Sequence, residues 1–358
     1  MTKNSIKGNT TVPVFDFIEL FCGAGGMSLG LKKAGFNNLL SIDSDEHAIE
    51  TYQKNLGGKC LTGNIVDVSS NELMEIVGIN KGELHLVAGG PPCQGFSYMN
   101  VKAQYGDKRN DLVMEFTRIV RDLNPASFIF ENVPAFNSIR GRKYIEAMHE
   151  QLSDYKFHPH LYNCHDYGIP QTRRRFVIVG LRDDCKVEFK IPEVFKCKKF
   201  VRDIVDLPEP PNDHTEHRDH SNHQLAMISK SSIARLSFVP QGGNWKDIPK
   251  EHRLEHQNKL EKKGWDFNSY GRLHMDRPCP TITKGFSDPA KSAYSHPLED
   301  RPITCREAAR IQGFPDDFIF HGPLYKQRQQ IANAVPPPLA EVIGKEIKRC
   351  LEGNENKK

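Results

Sequence analysis

A glycine-rich turn between an apolar strand and a helix is the feature of this sequence that most restricts its fold. The run from Val14 to Phe21 has the composition of a buried strand, and the segment Cys22 to Gly26 interrupts it with three glycines. Helical spacing then extends from Met27 to Ala34, and a second strand, Leu39 to Ile42, ends at Asp43. This order of elements predicts a βαβ unit, and therefore a parallel sheet.

Two later apolar segments repeat the arrangement, and each ends in polar residues. Leu84 to Ala88 is followed by the sequence GGPPCQGFS, and Ser127 to Phe130 is followed by Glu131 and Asn132. In a doubly wound sheet, ligands bind where the carboxyl ends of the strands converge. The sequence therefore predicts an α/β, doubly wound, Rossmann-like domain with its polar motifs in one cleft.

The chain is long enough for a second, smaller domain. It has 358 residues, against ~150 for a typical domain. After the strand Phe176 to Gly180 the alternation of strands and helices gives way to loops, and helical spacing returns at Thr304 to Gln312 and at Pro338 to Leu351. We predict a polar tail at 1–13, a catalytic domain at 14–185 that 328–358 completes, and an irregular domain with a hinge at 186–327.

Composition excludes several other classes of protein. Hydrophobic residues make up 38% and charged residues 26% of the chain, which is typical of a soluble globular protein. No segment resembles a membrane span, and the first residues lack the apolar core of a secretory signal. The nine cysteines are scattered without a CxxC pair, so we expect a cytoplasmic protein with reduced thiols. The net charge of +4 is a weak indication of an anionic partner.

The glycine turn and Asp43 together indicate a site for a nucleoside-containing cofactor. Glycines let the backbone approach a ligand closely, and Asp43, 18 residues beyond Gly25, is placed to accept hydrogen bonds from ribose hydroxyls. Counting from Gly23, Ser28 stands where the third glycine of a dinucleotide fingerprint belongs, which argues against a dinucleotide. An ordinary tight loop is the alternative interpretation.

Cys93 is the candidate nucleophile. Pro91 and Pro92 stiffen the backbone before it, and Gly95 gives flexibility after it, which favours a positioned thiol. A buried structural cysteine is the alternative, because cysteine is among the most buried residue types.

Charged residues lie at the ends of two other predicted strands. Glu131 ends an apolar strand, where burial would raise the pKa of its carboxyl and suit it to donate a proton. A helix N-cap near Pro134 is the alternative. In the sequence QTRRR, Arg173 and Arg175 would point to one face of the following strand, towards a phosphate or a base, and a solvated edge is the alternative.

Six segments of the chain have a distinctive order and spacing. They are Phe21 to Gly26, Pro91-Pro92-Cys93-Gln94, Glu131-Asn132-Val133, Gln171 with Arg173 and Arg175, Arg301 to Asp316, and Asn333-Ala334-Val335-Pro336. In this order they strongly resemble the motifs of the bacterial DNA cytosine-5 methyltransferases. The resemblance extends from Phe15 to about Ile347, except for the variable region from about Lys186 to Asp300, where such enzymes carry their target-recognition segment.

The resemblance implies transfer of a methyl group from S-adenosylmethionine to C5 of a cytosine within a short DNA sequence. Cys93 would add to C6 of the base, and Glu131 would hydrogen-bond and protonate N3. Asn132 would hold the loop, while Arg175, with Arg173 behind it, would contact the base carbonyl and order the carboxylate. The target cytosine would be flipped out of the duplex to reach these groups.

A mobile lid and contacts to double-stranded DNA are further implications of the resemblance. The segment Gln94 to Asp111 would close over the base, with Ser97 and Arg109 on phosphates and Gln94 also at the DNA. Sequence specificity should lie between about Arg202 and Tyr294. The candidate DNA-reading residues there are Gly242, Gly243 and Arg272.

The resemblance also assigns the residues that would hold the cofactor. Asn64 stands where the family usually has an aspartate that accepts from the adenine amino group, and Ala332 stands where a glycine is usual. These are departures from the pattern. The implied cofactor-binding residues are Phe21, Gly23, Ala24, Gly25, Gly26, Asp43, Asn64, Ile65, Pro91, Leu112, Asn333, Ala334 and Val335.

Several alternatives stay open at this stage. An RNA (tRNA) cytosine-5 methyltransferase would share the chemistry, a nicotinamide-dependent oxidoreductase would share the first βαβ unit, and a non-catalytic DNA-binding relative would share the motifs. Four histidines with a period of three, His214, His217, His220 and His223, could ligate zinc, but we expect no metal and place them near DNA phosphates. We expect a monomer, and a restriction-modification role with a companion endonuclease encoded nearby rather than bound.

Overall fold

A mixed β-sheet with helices on both faces forms the centre of the molecule. The computed structural model describes residues 14–92, 111–264 and 269–355. Within them the strands of the sheet are β1 (Phe15–Leu20), β2 (Phe36–Asp43), β3 (Cys60–Thr62), β4 (Leu86–Gly89), β5 (Ser127–Asn132), β6 (Tyr155–Asn163) and β7 (Arg174–Arg182).

Helices connect most of these strands and continue beyond them. They are α1 (Gly26–Lys33), α2 (Glu46–Leu56), α3 (Ser70–Val77), α4 (Asp111–Leu123), α5 (Ile139–Gln151), α6 (Lys230–Leu236), α7 (Glu255–Lys262), α8 (Cys305–Ile311), α9 (Leu324–Asn333) and α10 (Pro337–Glu355).

The order of the strands across the sheet is β3-β2-β1-β4-β5-β7-β6. The first five strands of the chain pair in parallel, which confirms the βαβ arrangement predicted from the glycine turn. However, β7 runs antiparallel to both β5 and β6, so the parallel prediction is wrong for this edge. The physical reason is the short connection between β6 and β7, which has room for the 3₁₀ helix Cys164–Tyr167 but not for a crossover helix.

Strand β6 was not predicted from the sequence. It lies at the edge of the sheet, and most of its residues are partly or fully exposed to solvent. Its sequence, YKFHPHLYN, therefore lacks a continuous apolar run, and Pro159 in its middle normally argues against a strand. An edge strand tolerates proline because one side of its backbone needs no hydrogen bonds.

Apolar side chains cover both faces of the sheet. On one face Phe15 and Phe17 pack with Leu31 of α1 and Ile343 of α10. The helices approach very closely there, because a Cβ at Gly30 would lie 2.3 Å from the carbonyl oxygen of Pro337. The helix at the end of the chain thus belongs to the same core as the first strand.

The second face of the sheet packs against α3, α4 and α5. Phe116 of α4 contacts the rings of Phe128 and Phe130 on β5, with ring centroids 6.1 and 5.4 Å apart. Since both faces are covered, the central strands β1, β4 and β5 are almost wholly buried, and their polar ends mark the edge that is left for a ligand.

A second lobe with its own apolar clusters follows the sheet. One cluster is centred on Trp245 and Tyr270, and a larger one includes Ile282 and Phe314. In the described part of 190–304 the regular elements are helical, and only isolated bridges connect extended segments. Phe189 still packs into the core of the sheet, four residues past Cys185, where the sequence placed the domain boundary.

Two general expectations concern membranes and thiols. No helix within the described residues is both long and apolar enough to cross a membrane. Every cysteine that the structure describes is a free thiol.

Candidate active site

A cleft of about 730 Å³ opens at the carboxyl ends of β1, β2, β4 and β5. Its size is typical of a site for a small molecule or cofactor. The predicted cofactor-binding residues that line it are Phe21, Gly23, Ala24, Gly26, Asp43, Asn64, Ile65, Pro91, Leu112, Asn333, Ala334 and Val335. The predicted catalytic residues that line it are Glu131, Asn132, Arg173 and Arg175. The structure thus brings together motifs that are up to about three hundred residues apart in the chain.

The glycine turn is fixed to the end of β2. The backbone N–H of Gly23 donates to Oδ2 of Asp43 at 2.8 Å, and Oδ1 of Asp43 accepts from the N–H of Asp45 at 2.9 Å. Gly23 has φ +53°, and a Cβ there would meet open space. Burial raises the pKa of Asp43, while the backbone N–H groups oppose the shift. Each carboxylate oxygen keeps a second lone pair with which it can accept from a ligand.

Gly26 allows the C-terminal motif to reach the glycine turn. A Cβ at Gly26 would lie 2.4 Å from the carbonyl oxygen of Val335, so a larger residue would push this segment away. Gly25 has a different role, because it does not line the cleft. It caps α1 with φ +94° and packs against Leu56 and Tyr52. The effect of Gly25 on a ligand is therefore through the conformation of the turn.

Asn64 lies in the wall of the cleft and is exposed to solvent. It is the N-cap of the 3₁₀ helix Ile65–Asp67, where its side-chain oxygen faces the N–H of Val66 at 3.5 Å. Ile65 is buried below it. An amide at this position can accept a hydrogen bond from a ligand, but without a formal charge.

Glu131 forms an ion pair with Arg175 inside the cleft. Nε of Arg175 lies 2.7 Å from Oε1 of Glu131, and both side chains are largely buried. Burial raises the pKa of Glu131, and the charge of Arg175 opposes this shift. The carboxyl group is therefore held in a fixed orientation with a raised pKa, as general acid catalysis requires.

The loop that leads to Cys93 is attached to β5 next to this pair. Nδ2 of Asn132 donates to the carbonyl oxygen of Pro91 at 3.3 Å, and the Asn132 Oδ1 accepts from the N–H of Val133 at 2.9 Å. A Cβ at Gly90 would lie 2.8 Å from Oε2 of Glu131. Close contact with Glu131 thus requires glycine at the start of this loop. Four predicted site residues lie outside the described residues: Cys93, Gln94, Ser97 and Arg109.

Arg173, which the resemblance placed behind Arg175, bonds to the backbone and not to Glu131. It is almost fully buried and donates to the carbonyl oxygens of Ile282, Ala332 and Ala334 at 3.3, 2.8 and 3.1 Å. Burial and the neighbouring Arg175 charge lower the pKa of its guanidinium to about 9. Arg173 therefore ties the edge of the sheet to the second lobe and to the C-terminal motif.

The predicted DNA contact of Arg272 is wrong. Its side chain is buried, and each of its five N–H groups has an acceptor within the chain. The acceptors are the carbonyl oxygens of Val239, His296, Glu299 and Leu236 and the carboxylate of Asp300. Arg272 thus has no donor left for DNA, and it organises the second lobe instead.

Gly242 and Gly243 occupy a loop beside Arg272. Gly242 is exposed with φ +74°, and its N–H donates to the carbonyl oxygen of Arg272 at 3.0 Å. Gly243 is half-buried, and a Cβ there would lie 2.5 Å from Asp247. The loop is accessible, so its predicted contact with DNA stays a prediction.

One of the period-three histidines, His223, has partners within the protein for both ring nitrogens. His223 is buried, with Nδ1 2.9 Å from Oγ1 of Thr304 and Nε2 2.8 Å from the carbonyl oxygen of Pro208. Among the residues that the structure describes, no group of three histidine, cysteine or acidic side chains is arranged to hold a metal ion.

Several charged or polar residues of the cleft were missed from the sequence, and Glu19, Lys326 and Gln330 are among them. Glu19 lies within β1 and lines the cleft although only 2% of it is exposed. Lys326 pairs with Asp45 at 2.8 Å, and Gln330 accepts from Oγ1 of Thr51 at 2.8 Å. The one available signal was Glu19 itself, an acidic residue within the apolar run VFDFIELF.

Sequence comparison identifies the family to which this fold and cleft belong. The family described as C-5 cytosine-specific DNA methylase matches residues 15–349. The chain therefore belongs to the C-5 cytosine-specific DNA methylases, and the enzyme class predicted from the six motifs is confirmed.

Curated relatives and solved structures agree with this assignment. Type II methyltransferase M1.HphI of Haemophilus parahaemolyticus is 35% identical over 337 residues, which cover 92% of this chain and 86% of that protein. Type II methylase M.HgiDII of Herpetosiphon aurantiacus is 33% identical over 347 residues, with 94% and 96% covered. A crystal structure of a DNA modification methyltransferase encoded within an E. coli prophage has a TM-score of 0.76 at 26% identity, covering 94% of this chain and 99% of that one. S. pombe Dnmt2 methyltransferase, at 18% identity and a TM-score of 0.59 over 95% of this chain and 99% of that one, has the same fold.

Proposed function

We propose that this enzyme transfers a methyl group from S-adenosylmethionine to C5 of a cytosine within a short DNA sequence, as the methyltransferase of a type II restriction-modification system. The observation that carries the proposal is a single cleft that joins the glycine turn and Asp43 to the Glu131–Arg175 pair. The names of the type II relatives support DNA as the substrate.

The cleft fits the cofactor in shape and in its polar groups. The space above Gly23 is open, Asp43 can accept from ribose hydroxyls, and Gly26 leaves room for the Val335 segment to close the site. The adenine would lie between Ile65, Pro91 and Leu112 beside Asn64, and Asn333 to Val335 would face the carboxylate end. When bound, S-adenosylmethionine supplies an electrophilic methyl group.

Cys93 starts the reaction on the base. The electron pair of its thiolate forms a bond to C6, and the electrons of the C5–C6 double bond become available at C5. Glu131, held by Arg175, donates a hydrogen bond and a proton to N3 and so offsets the negative charge that develops on the ring. Once C5 is methylated, a water molecule takes the C5 proton, N3 returns its proton to Glu131, and cleavage of the bond between sulfur and C6 releases 5-methylcytosine and the thiolate.

The remaining residues position the reactants. Asn132 holds the carbonyl of Pro91 and hence the start of the loop that carries Cys93. Because C6 is inaccessible in a stacked duplex, the cytosine enters the cleft flipped out of the helix, and the segment Gln94 to Asp111 closes over it with Ser97 and Arg109 on phosphates. The irregular lobe within 186–327 reads the DNA sequence, and the Gly242–Gly243 loop, in which Gly242 is exposed, is a candidate contact.

Bisulfite sequencing of DNA from a methylation-free bacterial host tests the proposal. Expression of the wild-type chain should protect cytosines at one short motif, and Cys93→Ala should protect none. The alternative of an RNA substrate is tested in the same strains by bisulfite sequencing of tRNA. The proposal would be overturned if bisulfite converted every cytosine in DNA from cells that contain soluble wild-type protein, while positions in their tRNA were protected.

A further inference from the structure

Glu19 is a buried acid in the cleft that the proposed mechanism does not use. It is the penultimate residue of β1, is 2% exposed and lines the cleft. The hydroxyl of Ser28, at the start of α1, donates to its Oε2. The hydroxyl of Tyr52 on α2 donates in turn to Oγ of Ser28 at 2.8 Å, so the position of the carboxyl group is fixed by two helices.

No cation faces this carboxyl group among the residues that the structure describes. The titratable groups around it are Asp43 at the end of β2, Cys22 in the turn, Cys60 on β3 and Tyr52 on α2, and none of them carries a positive charge. Burial, with a smaller effect of Asp43, raises the pKa of Glu19 to about 8, although hydrogen bonds from Ser28 oppose this. Burial therefore favours the protonated form of this group in the free protein.

The cleft is electrostatically asymmetric. At the end formed by β5, the carboxylate of Glu131 is neutralised by Arg175 at 2.7 Å, with Arg173 also present. At the end formed by β1 and β2, Lys326 is engaged by Asp45 at 2.8 Å, and Glu19 and Asp43 have no cationic partner within the described residues. This end would stabilise the cationic part of a ligand more than a neutral part.

The charge of the cofactor changes when the methyl group is transferred. S-adenosylmethionine carries a positive sulfonium, whereas the product S-adenosylhomocysteine has a neutral thioether at the same atom. We propose that ionised Glu19 provides the negative charge that makes the cleft prefer the sulfonium form over the product, and that its proton is released to solvent when the sulfonium form binds. This inference rests on the proposed function and assigns a further binding residue to it.

Calorimetric titration of both ligands against the wild-type protein and Glu19→Gln tests the charge. The measured quantity is the ratio of the dissociation constant of the product to that of S-adenosylmethionine, from pH 6 to pH 8.5. We expect this ratio to rise with pH in the wild type, and to be about tenfold lower in Glu19→Gln at pH 8.5. Titration of the ligands' own amino groups persists in the variant, so the difference between the two proteins isolates Glu19.

Glu46→Gln is the matched control, because Glu46 also lines the cleft but is exposed to solvent. Its ratio should stay within about twofold of the wild type, since water screens an exposed charge. An equal loss of preference in both variants, or an unchanged ratio in Glu19→Gln, would overturn the inference.

A second measurement needs no substitution. Titrations at pH 7 in buffers with different heats of ionisation count the protons that move on binding, and S-adenosylmethionine should release more protons than the product does. Equal proton release for the two ligands would contradict the role of Glu19. If neither ligand binds the wild-type protein, the proposed function fails; if both bind with equal proton release, only the inference about Glu19 fails.

Discussion

Arg175 at the sheet edge and Arg272 in the irregular lobe have different kinds of partner. At the sheet edge, backbone groups are paired between strands, and Arg175 binds the carboxylate of Glu131, which we propose as the catalytic acid. In the irregular lobe many carbonyl groups lack strand partners, and Arg272 and Arg306 donate to four and three of them, respectively. A buried carbonyl without a partner is costly, so in this lobe a basic residue is first a structural residue.

Glu131→Gln should have the largest effect on activity and little effect on folding. The amide keeps the size of the side chain but cannot donate the proton to N3, so we expect methyl transfer to fall by about 10²–10⁴-fold. Single-turnover transfer of a labelled methyl group to DNA measures this. The thermal unfolding midpoint should stay near that of the wild type, and a variant with full activity would contradict the role of Glu131.

Arg272→Ala should have the largest effect on stability. It leaves four carbonyl groups and Asp300 without their cation, and we expect a loss of about 3–5 kcal/mol in the free energy of unfolding. Urea denaturation measures the change. Arg277→Ala is the control: Arg277 is exposed in the same lobe, so its loss should change stability by no more than about 0.5 kcal/mol. If both variants were equally stable, the contrast between the regions would be wrong.

The effects of two buried acids on stability, Glu19 at the sheet edge and Glu307 in the irregular lobe, should change with pH in opposite directions. The pKa of Glu19 is raised by burial to about 8, above its ordinary value, so the folded protein binds more protons between these values and loses stability as pH rises through them. Burial opposes ionisation of Glu307, but hydrogen bonds and charge from Arg301 lower its pKa to about 2, so its stabilising effect is lost as pH falls from its ordinary value towards 2.

Unfolding as a function of pH tests this opposition. The difference in the free energy of unfolding between Glu19→Gln and the wild type should favour the variant more at pH 9 than at pH 5, by on the order of 3 kcal/mol. Glu307→Gln should be destabilised at pH 7, and the difference from the wild type should shrink as the pH approaches 2. Parallel pH profiles of the two variants would refute the opposition.

Asn64→Asp should have the smallest effect, a lower dissociation constant for S-adenosylmethionine. A carboxylate accepts the adenine amino group more strongly than an amide does, and aspartate is an equally good N-cap for the 3₁₀ helix Ile65–Asp67. Because Asn64 is exposed, we expect a change of only a few fold in calorimetric titrations. Weaker or unchanged binding would contradict the expectation.

The sequence pattern was sufficient to predict those site residues whose positions the sheet determines. The glycine turn, Asp43 and Glu131 lie at strand ends, and the carboxyl ends of parallel strands meet at one edge, so their shared cleft could be predicted. Edge strand β6 could not, because its exposed residues carry no apolar period. Arg272 was assigned wrongly because its acceptors come from segments up to 36 residues away, which spacing does not locate. Glu19 was missed because a run of apolar residues concealed one buried acid.

Covalent trapping tests the central claim that this cleft carries out methylation at C5 through Cys93. Duplex DNA would carry 5-fluorocytosine at the target position identified by bisulfite sequencing; fluorine cannot leave C5 as a proton does, so the bond between sulfur and C6 persists. With S-adenosylmethionine, the wild-type protein should give a denaturation-resistant complex with the mass of protein, DNA strand and one methyl group, and Cys93→Ala should give none. A complex of the same yield with Cys93→Ala, or none with a wild-type enzyme that methylates ordinary DNA, would contradict the account.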